Sequence, residues 1–313
     1  MHKIYYCKLY PDNSKGNGLC NQLFVMVSGI IIAIKLKYDA IIIDNFLVDY
    51  QMNLYTQISK IINIHNLNLF LQNTYNISIY DRYDISNTQL SMIAQKQLTK
   101  QTKQTRGIMS MNINKSPFIY NFKWIDELDK DMFDNILSKI TFTSFYLSLA
   151  TTFLKIKNIN NTEKINVLHL RLENDAIMHW AKMNKMVPLV FQHIIEEKYI
   201  GLIKKYINKN EINIILSYST DNKVIQFLKE NNYKYFFTDK LNVGREINAS
   251  IDLNIGNFCN HLFIGNFNLE NISGSSLSYF LINKYKKENR NIKLVLIDLD
   301  KIQDKENINF EMD

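Results

Sequence analysis

Cysteine, proline and glycine are scarce in this chain of 313 residues, at three, three and nine. Cys7, Cys20 and Cys259 lie far apart and form no C-x-x-C pair, which argues against a disulfide framework and a cysteine-built zinc site and fits a reducing compartment. The shortage of proline and glycine beside abundant Ile, Asn and Lys reads as the codon bias of an AT-rich genome, so Asn-rich stretches carry little weight. Long apolar runs are missing too. The most apolar stretch, Leu19 to Leu36, carries Asn21, Gln22, Ser28 and Lys35, which makes it too polar at its start for a membrane span of ~20 apolar residues; it reads as a buried helix. The opening residues MHKIYYCKLY show no apolar signal region or small-residue cleavage site, so a cytoplasmic location is expected.

Positive charge is plentiful, yet it does not cluster. The net charge is +7, but the lysines are spread along the chain, and no basic helix, zinc module or aromatic RNA-binding signature accompanies them. Residues Asp298 to Asp313 are acidic, with six acids against Lys301 and Lys305. No nucleic-acid partner is expected. A mildly basic protein that handles an anionic ligand explains the balance as well, and codon bias alone would do so too.

What is there suits a soluble globular protein: 46% hydrophobic and 12% aromatic residues are ample for buried cores, and the length allows two domains of roughly 150 residues. Lys3 to Leu9 reads as a strand, Pro11 to Gly18 as a turn-rich loop, Leu19 to Lys37 as a helix and Ala40 to Asp44 as a second strand. From Tyr50 to Lys139 the pattern is poor. Gln89 to Arg106 reads as a solvated helix or loop, and the acids of the helical stretch Ile125 to Ser138 as a solvated face. Phe142 to Ile156 reads as a helix, and the polar Lys157 to Lys164 as the linker between domains 1–160 and 161–313. Beyond it the alternation is clean. Strands are expected at Val167 to Arg171, Ile212 to Ser217, Lys234 to Thr238, His261 to Gly265 and Ile292 to Leu299. Between them come helices at Pro188 to Ile207, Lys223 to Asn231 after an N-cap signal at Ser219-Thr220-Asp221, Arg245 to Phe258 and Ser276 to Lys287. Such alternation means a parallel sheet covered on both faces.

Three stretches carry chemistry. In Val167 to Asp175 the period-two pattern puts His169 and Arg171 on one face where the chain leaves the sheet, and a guanidinium there suits a diphosphate. Pairing of Arg171 with Glu173 or Asp175 at the surface is the competing reading. Glycines between the first strand and the amino terminus of the first helix let a backbone approach an anion. Near the end, a strand closing on Gly265 and the cluster Ser275, Ser276 and Ser278 at a helix start make an anion site, or plain capping; Asp252 is either part of it or a helix-surface acid. Two such domains imply a ligand cleft between them.

Together Gly18-Leu19-Cys20-Asn21-Gln22-Leu23-Phe24, His169-Leu170-Arg171, and Asp252 with Phe263-Ile264-Gly265-Asn266 and Ser275-Ser276-Leu277-Ser278 resemble, in order and separation, the GDP-fucose fucosyltransferase superfamily. The resemblance is strongest to the protein O-fucosyltransferases, with kinship to the α1,2 and α1,6 enzymes, and it spans Lys3 to Tyr285. It implies an α/β fold of GT-B type with two Rossmann-like domains, the first on the acceptor side and the second binding the donor. It also implies inverting, metal-independent transfer, with the nucleotide sugar a co-substrate and no cofactor. In these terms Asn17, Gly18, Leu19 and Asn21 contact the donor from the first domain, Arg171 holds the β-phosphate, His169 and Asp252 contact the nucleoside, and Ser275, Ser276 and Ser278 donate to phosphates. Cys20 in place of the usual Gly, and the extra residues Phe267 to Gly274 before the serines, depart from the family pattern.

Residue chemistry agrees with that picture. Departure of a diphosphate builds up negative charge, which a site without metal stabilises with arginine and backbone dipoles. Asp298-Leu299-Asp300 lies in the acidic terminal segment, so no convincing D-x-D metal motif is present. Glu173 and Asp175 are the possible bases, or they orient Arg171. His179 and His193 are read as packing or surface residues. The expected function is transfer of a sugar, fucose from GDP-fucose first, to a hydroxyl of a glycan or protein acceptor. The alternatives are another sugar nucleotide on the same fold, or a silent protein that binds glycan or nucleic acid.

Overall fold

A computed structural model of the protein describes residues 4–9, 18–49, 54–82, 129–160, 162–238 and 244–302, together with the backbone of 308–312. The chain divides into two compact units, one of Met1–Leu147 with Asn242–Ser250, the other of Ser148–Leu241 with Ile251–Asp313. The expected segments Gln89 to Arg106 and Pro11 to Asn17 lie outside the described residues, as do residues 125–128 of the helix expected at Ile125 to Ser138.

In the first unit, β1 (Ile4–Cys7) leads to α1 (Leu19–Lys35) and then to β2 (Ala40–Ile43). β3 (Phe46–Asp49) and β4 (Leu54–Thr56) form an antiparallel hairpin. α2 (Ile58–Ile61), α3 (Ile64–Tyr75), β5 (Ser78–Asp81) and α4 (Lys130–Ser138) follow. Among the described residues the main sheet has the order β1-β2-β5, all parallel. The apolar run that looked too polar to span a membrane is indeed an interior helix: Leu23, Phe24, Met26, Val27, Ile30 and Ile31 are fully buried. Each contributes about 1.5–3 kcal/mol relative to exposure. Gly29 allows α1 to lie directly on β1, because a Cβ there would collide with the Cys7 thiol. The acids of α4 are not all solvated as expected: Asp134 is buried and pairs with Lys130 at 2.5 Å, one turn back.

The second unit begins within α5 (Ser144–Ile156) and continues with β6 (Ile165–His169), α6 (Asn174–Met183), α7 (Pro188–Tyr206), β7 (Ile212–Leu216), α8 (Lys223–Glu230) and β8 (Tyr235–Phe237). α9 (Arg245–Gly256) is shared out at Ser250, and β9 (Leu262–Gly265), β10 (Phe267–Asn268), β11 (Ser273–Gly274), α10 (Ser276–Lys287), β12 (Lys293–Ile297) and β13 (Ile308–Met312) complete the order. The sheet runs β13-β12-β9-β6-β7-β8, parallel except for β13. INVLH and INIIL, wholly buried in β6 and β7, are the mostly apolar runs that a sheet covered on both faces demands, broken by Asn166 and Asn213, which pair with each other at 3.0 Å, and by His169 at the strand end. Phe191, Ile195, Tyr199, Leu202 and Ile203 of α7 pack in the same core as Leu168, Ile215 and Ile264.

Local details correct the sequence reading. β6 ends at His169, so Arg171 stands two residues beyond the sheet, although the Leu170 N–H still bonds the Leu216 carbonyl at 3.1 Å. α6 was not foreseen: it buries only Ala176, Ile177 and Ala181, leaving too thin an apolar stripe to read. The cap of α8 is Asn222, whose side chain accepts from the Ile225 N–H at 3.1 Å, rather than Ser219-Thr220-Asp221.

All three cysteines are free and buried. Burial pushes the Cys7 thiol up to about 12, with Asp44 adding to the effect, and burial likewise raises Cys259 to about 12. Iodoacetamide at pH 8 therefore labels none of the three in the native protein and all three in guanidinium, as intact mass will show.

Candidate active site

The crossover pattern selects one place in the second unit. From β6 the chain adds β7 and β8 on one side, then returns to add β9 and β12 on the other. The carboxyl ends of β6 and β9 therefore flank a topological switch point, where open α/β sheets bind ligands. His169 ends β6 and Asn266 follows β9.

These two residues are joined by a closed set of hydrogen bonds. Asn266 Nδ2 donates to the His169 carbonyl at 2.7 Å, and Asn266 Oδ1 accepts from the Tyr199 hydroxyl at 2.5 Å. The Tyr199 oxygen accepts from the Arg171 N–H at 3.1 Å. Burial holds the Tyr199 phenol well above its ordinary range, so it stays a neutral donor. Ser278 Oγ accepts from the Asn266 N–H at 3.0 Å and lies 2.8 Å from His169 Nδ1. With that amide donating to it, the Ser278 hydroxyl can give its own proton to Nδ1, which leaves the imidazole proton on Nε2.

Arg171 realises the pairing considered from the sequence. Its Nη1 contacts Glu173 Oε2 at 2.9 Å and its Nη2 contacts Asp175 Oδ2 at 3.7 Å, with a quarter of the side chain exposed. Glu173 uses its second oxygen to accept the Tyr218 N–H at 3.2 Å. One carboxylate thus fixes both the guanidinium and the loop after β7.

The serines divide by environment. Ser275 is the N-cap of α10 but makes no side-chain capping bond, and Ser276 is partly exposed beside it. Ser278 is fully buried, its hydroxyl turned to Asn266 and His169. The inserted residues Phe267 to Gly274 form the β10–β11 hairpin. Gly274 makes its tight return possible: φ is +129°, and a Cβ would lie 2.6 Å from the Asn266 carbonyl oxygen. Asp298 anchors the hairpin, accepting from Asn268 Nδ2 at 2.6 Å and from the Asp300 N–H at 2.9 Å. Asp252 is buried in α9, not a helix-surface acid. Among the described residues no three His, Cys, Asp or Glu gather as a metal ion would need.

In the first unit, Asn17 lies outside the described residues, Gly18 is the N-cap of α1, the Leu19 side chain is buried and Asn21 is partly exposed in the first turn. The amino end of α1 already holds an anion from the chain itself: the Leu19 N–H donates to Glu246 Oε2 at 2.5 Å. A carboxylate there opposes the positive end of the helix dipole. Gln22, fully buried, clasps the Leu47 backbone, donating to its carbonyl at 2.8 Å and accepting its N–H at 2.9 Å. Sequence reasoning missed Glu246, Gln22, Tyr199 and the side chain of Asn266. Glycine at the N-cap, with no side chain to satisfy the first amides, was the one available hint of a distant acceptor.

No protein-family profile matches the chain, and no curated protein does. Solved structures do. POFUT1 in complex with GDP-fucose superposes with a TM-score of 0.57 at 10% identity, covering 91% of this chain and 95% of that one. POFUT1 in complex with GDP gives 0.54 at 10% identity over 94% and 98%. The fucosyltransferase NodZ from Bradyrhizobium gives 0.52 at 10% identity over 100% and 98%. The chain has the mixed α/β, Rossmann-like fold of these fucosyltransferases.

Proposed function

We propose that this protein is an inverting, metal-independent glycosyltransferase that transfers fucose from GDP-fucose to a hydroxyl of a glycan or protein acceptor. The observation that carries the reading is the bonded cluster of His169, Asn266 and Ser278 at the switch point of the second unit, in a chain with the fold of enzymes solved with GDP and GDP-fucose. Arg171 grips the β-phosphate and stabilises the charge that grows as the glycosidic bond breaks. The uncapped amino end of α10, with the hydroxyls of Ser275 and Ser276, adds donors to the phosphates. Ser278 acts through His169, holding the imidazole that meets the nucleoside, and Asp252 contacts the nucleoside from α9. Glu173 orients the guanidinium, and Asp175 stands by as the more exposed carboxylate. Departure ahead of proton loss from the acceptor needs no strong base, in keeping with that arrangement.

A nucleotide-sugar panel tests this reading. GDP is expected to raise the melting temperature by mass action where UDP and dTDP do not, and GDP-fucose to be turned over undiminished in EDTA. Stabilisation by UDP or dTDP alone would move the donor to another nucleotide, and no response to any of them would sink the transferase reading. No helix among the described residues is long and apolar enough to cross a membrane.

A further inference from the structure

We infer that Tyr218 is the stacking platform for the donor nucleobase, so that the loop after β7 confers a preference for purine over pyrimidine nucleotides; the inference rests on the proposed donor site. Tyr218 leaves β7 at the same carboxyl edge of the sheet where β6 releases Arg171, since β6 and β7 are parallel and His169 lies opposite Leu216. It is 39% exposed, so a ring face is open to a ligand at this rim. Its main chain is not loose: the Tyr218 N–H donates to Glu173 Oε1 while Glu173 Oε2 holds the Arg171 guanidinium, so one carboxylate ties the backbone that carries the aromatic ring to the guanidinium. Ser217 and Ser219 brace the same turn, the Ser219 N–H donating to Ser217 Oγ at 3.1 Å.

A nucleoside diphosphate has the matching layout, with an anionic end and a flat π-faced end separated by a ribose. A base stacks on an aromatic ring through dispersion and apolar burial, without any demand on hydrogen-bonding edges, and a two-ring purine covers more of the ring than a pyrimidine does. Arg171 answers the charge, and Tyr218 answers the face.

Calorimetric titration of the full chain with GDP and with pyrophosphate, which has no base, tests the inference in wild type, Tyr218→Ala and Tyr218→Phe. The alanine variant is expected to lose ~5- to 100-fold in GDP affinity, a span set by base stacking on an aromatic side chain, and none in pyrophosphate affinity. The phenylalanine variant keeps wild-type affinity for both. Unchanged GDP affinity in Tyr218→Ala overturns the inference. Equal losses for GDP and pyrophosphate overturn it as well, since the effect would then run through Glu173 and Arg171. Failure of the wild type to bind either ligand contradicts the proposed donor site itself, an outcome separate from these.

Discussion

Arg171→Ala is expected to lower kcat for sugar transfer by ~10²- to 10³-fold, the scale on which single charge-stabilising donors act in a transition state. Donor affinity should fall as well, because a charge-assisted contact to phosphate is lost. The fold should survive. The guanidinium packs no core volume and is partly exposed, and although Glu173 loses a cation it keeps the Tyr218 N–H. A stability loss of about 1 kcal/mol, or a few degrees in melting temperature, is the expected cost. Arg171→Lys separates charge from geometry: it restores the pair with Glu173 and most of the stability, but a point charge without the planar fork restores little transfer. Steady-state kinetics with thermal melts on the two variants checks both halves. Wild-type kcat in Arg171→Ala would remove this residue from the mechanism.

Asn266→Ala should produce the larger stability change. Its side chain, fully buried, satisfies the His169 carbonyl and the Tyr199 hydroxyl together. Truncation leaves a small cavity and removes both bonds, although Tyr199, whose oxygen is 3.1 Å from the His169 carbonyl, can turn its proton there. Because Tyr199 and the His169 carbonyl then satisfy each other, the expected cost is about 2–3 kcal/mol, from the net loss of hydrogen bonding and the void. Against a typical total of roughly 5–15 kcal/mol this is a large fraction. The urea midpoint should drop with little change in slope. GDP affinity should fall in parallel, because the carbonyl of His169 has lost its side-chain tie to the residue that follows β9. Asn266→Asp should be worse than alanine, since a carboxylate oxygen would then face the His169 carbonyl.

The α/β architecture was legible in the sequence because its strands bury both faces and so appear as short, mostly apolar runs, as in Ile165–His169 and Ile212–Leu216, where Asn166, His169 and Asn213 are the polar exceptions. α10, with serine before its first turn and lysines in its last, was legible over its whole length. α6 was not, since Met178 and Met183 point to solvent and blur the helical period. The positions of His169 and Arg171 at the edge of a sheet could be read from alternation, but not the early end of β6, which depends on where β7 stops pairing. Glu246 was out of reach for a plainer reason. Its bond to Leu19 joins residues 227 positions apart, and nothing local to either marks the other. The hairpin Phe267–Gly274 showed only as a departure in length from a family pattern. The turn geometry that explains it, a left-handed Gly274 against the Asn266 carbonyl, exists only once the chain is folded.

The most direct measurement is hydrogen–deuterium exchange with and without saturating GDP. The account predicts slowed exchange in peptides that cover His169 to Asp175 and Asn266 to Ser278, the two segments that meet at the switch between β6 and β9. GDP binding that leaves both segments unprotected, with protection confined to other parts of the chain, would contradict it.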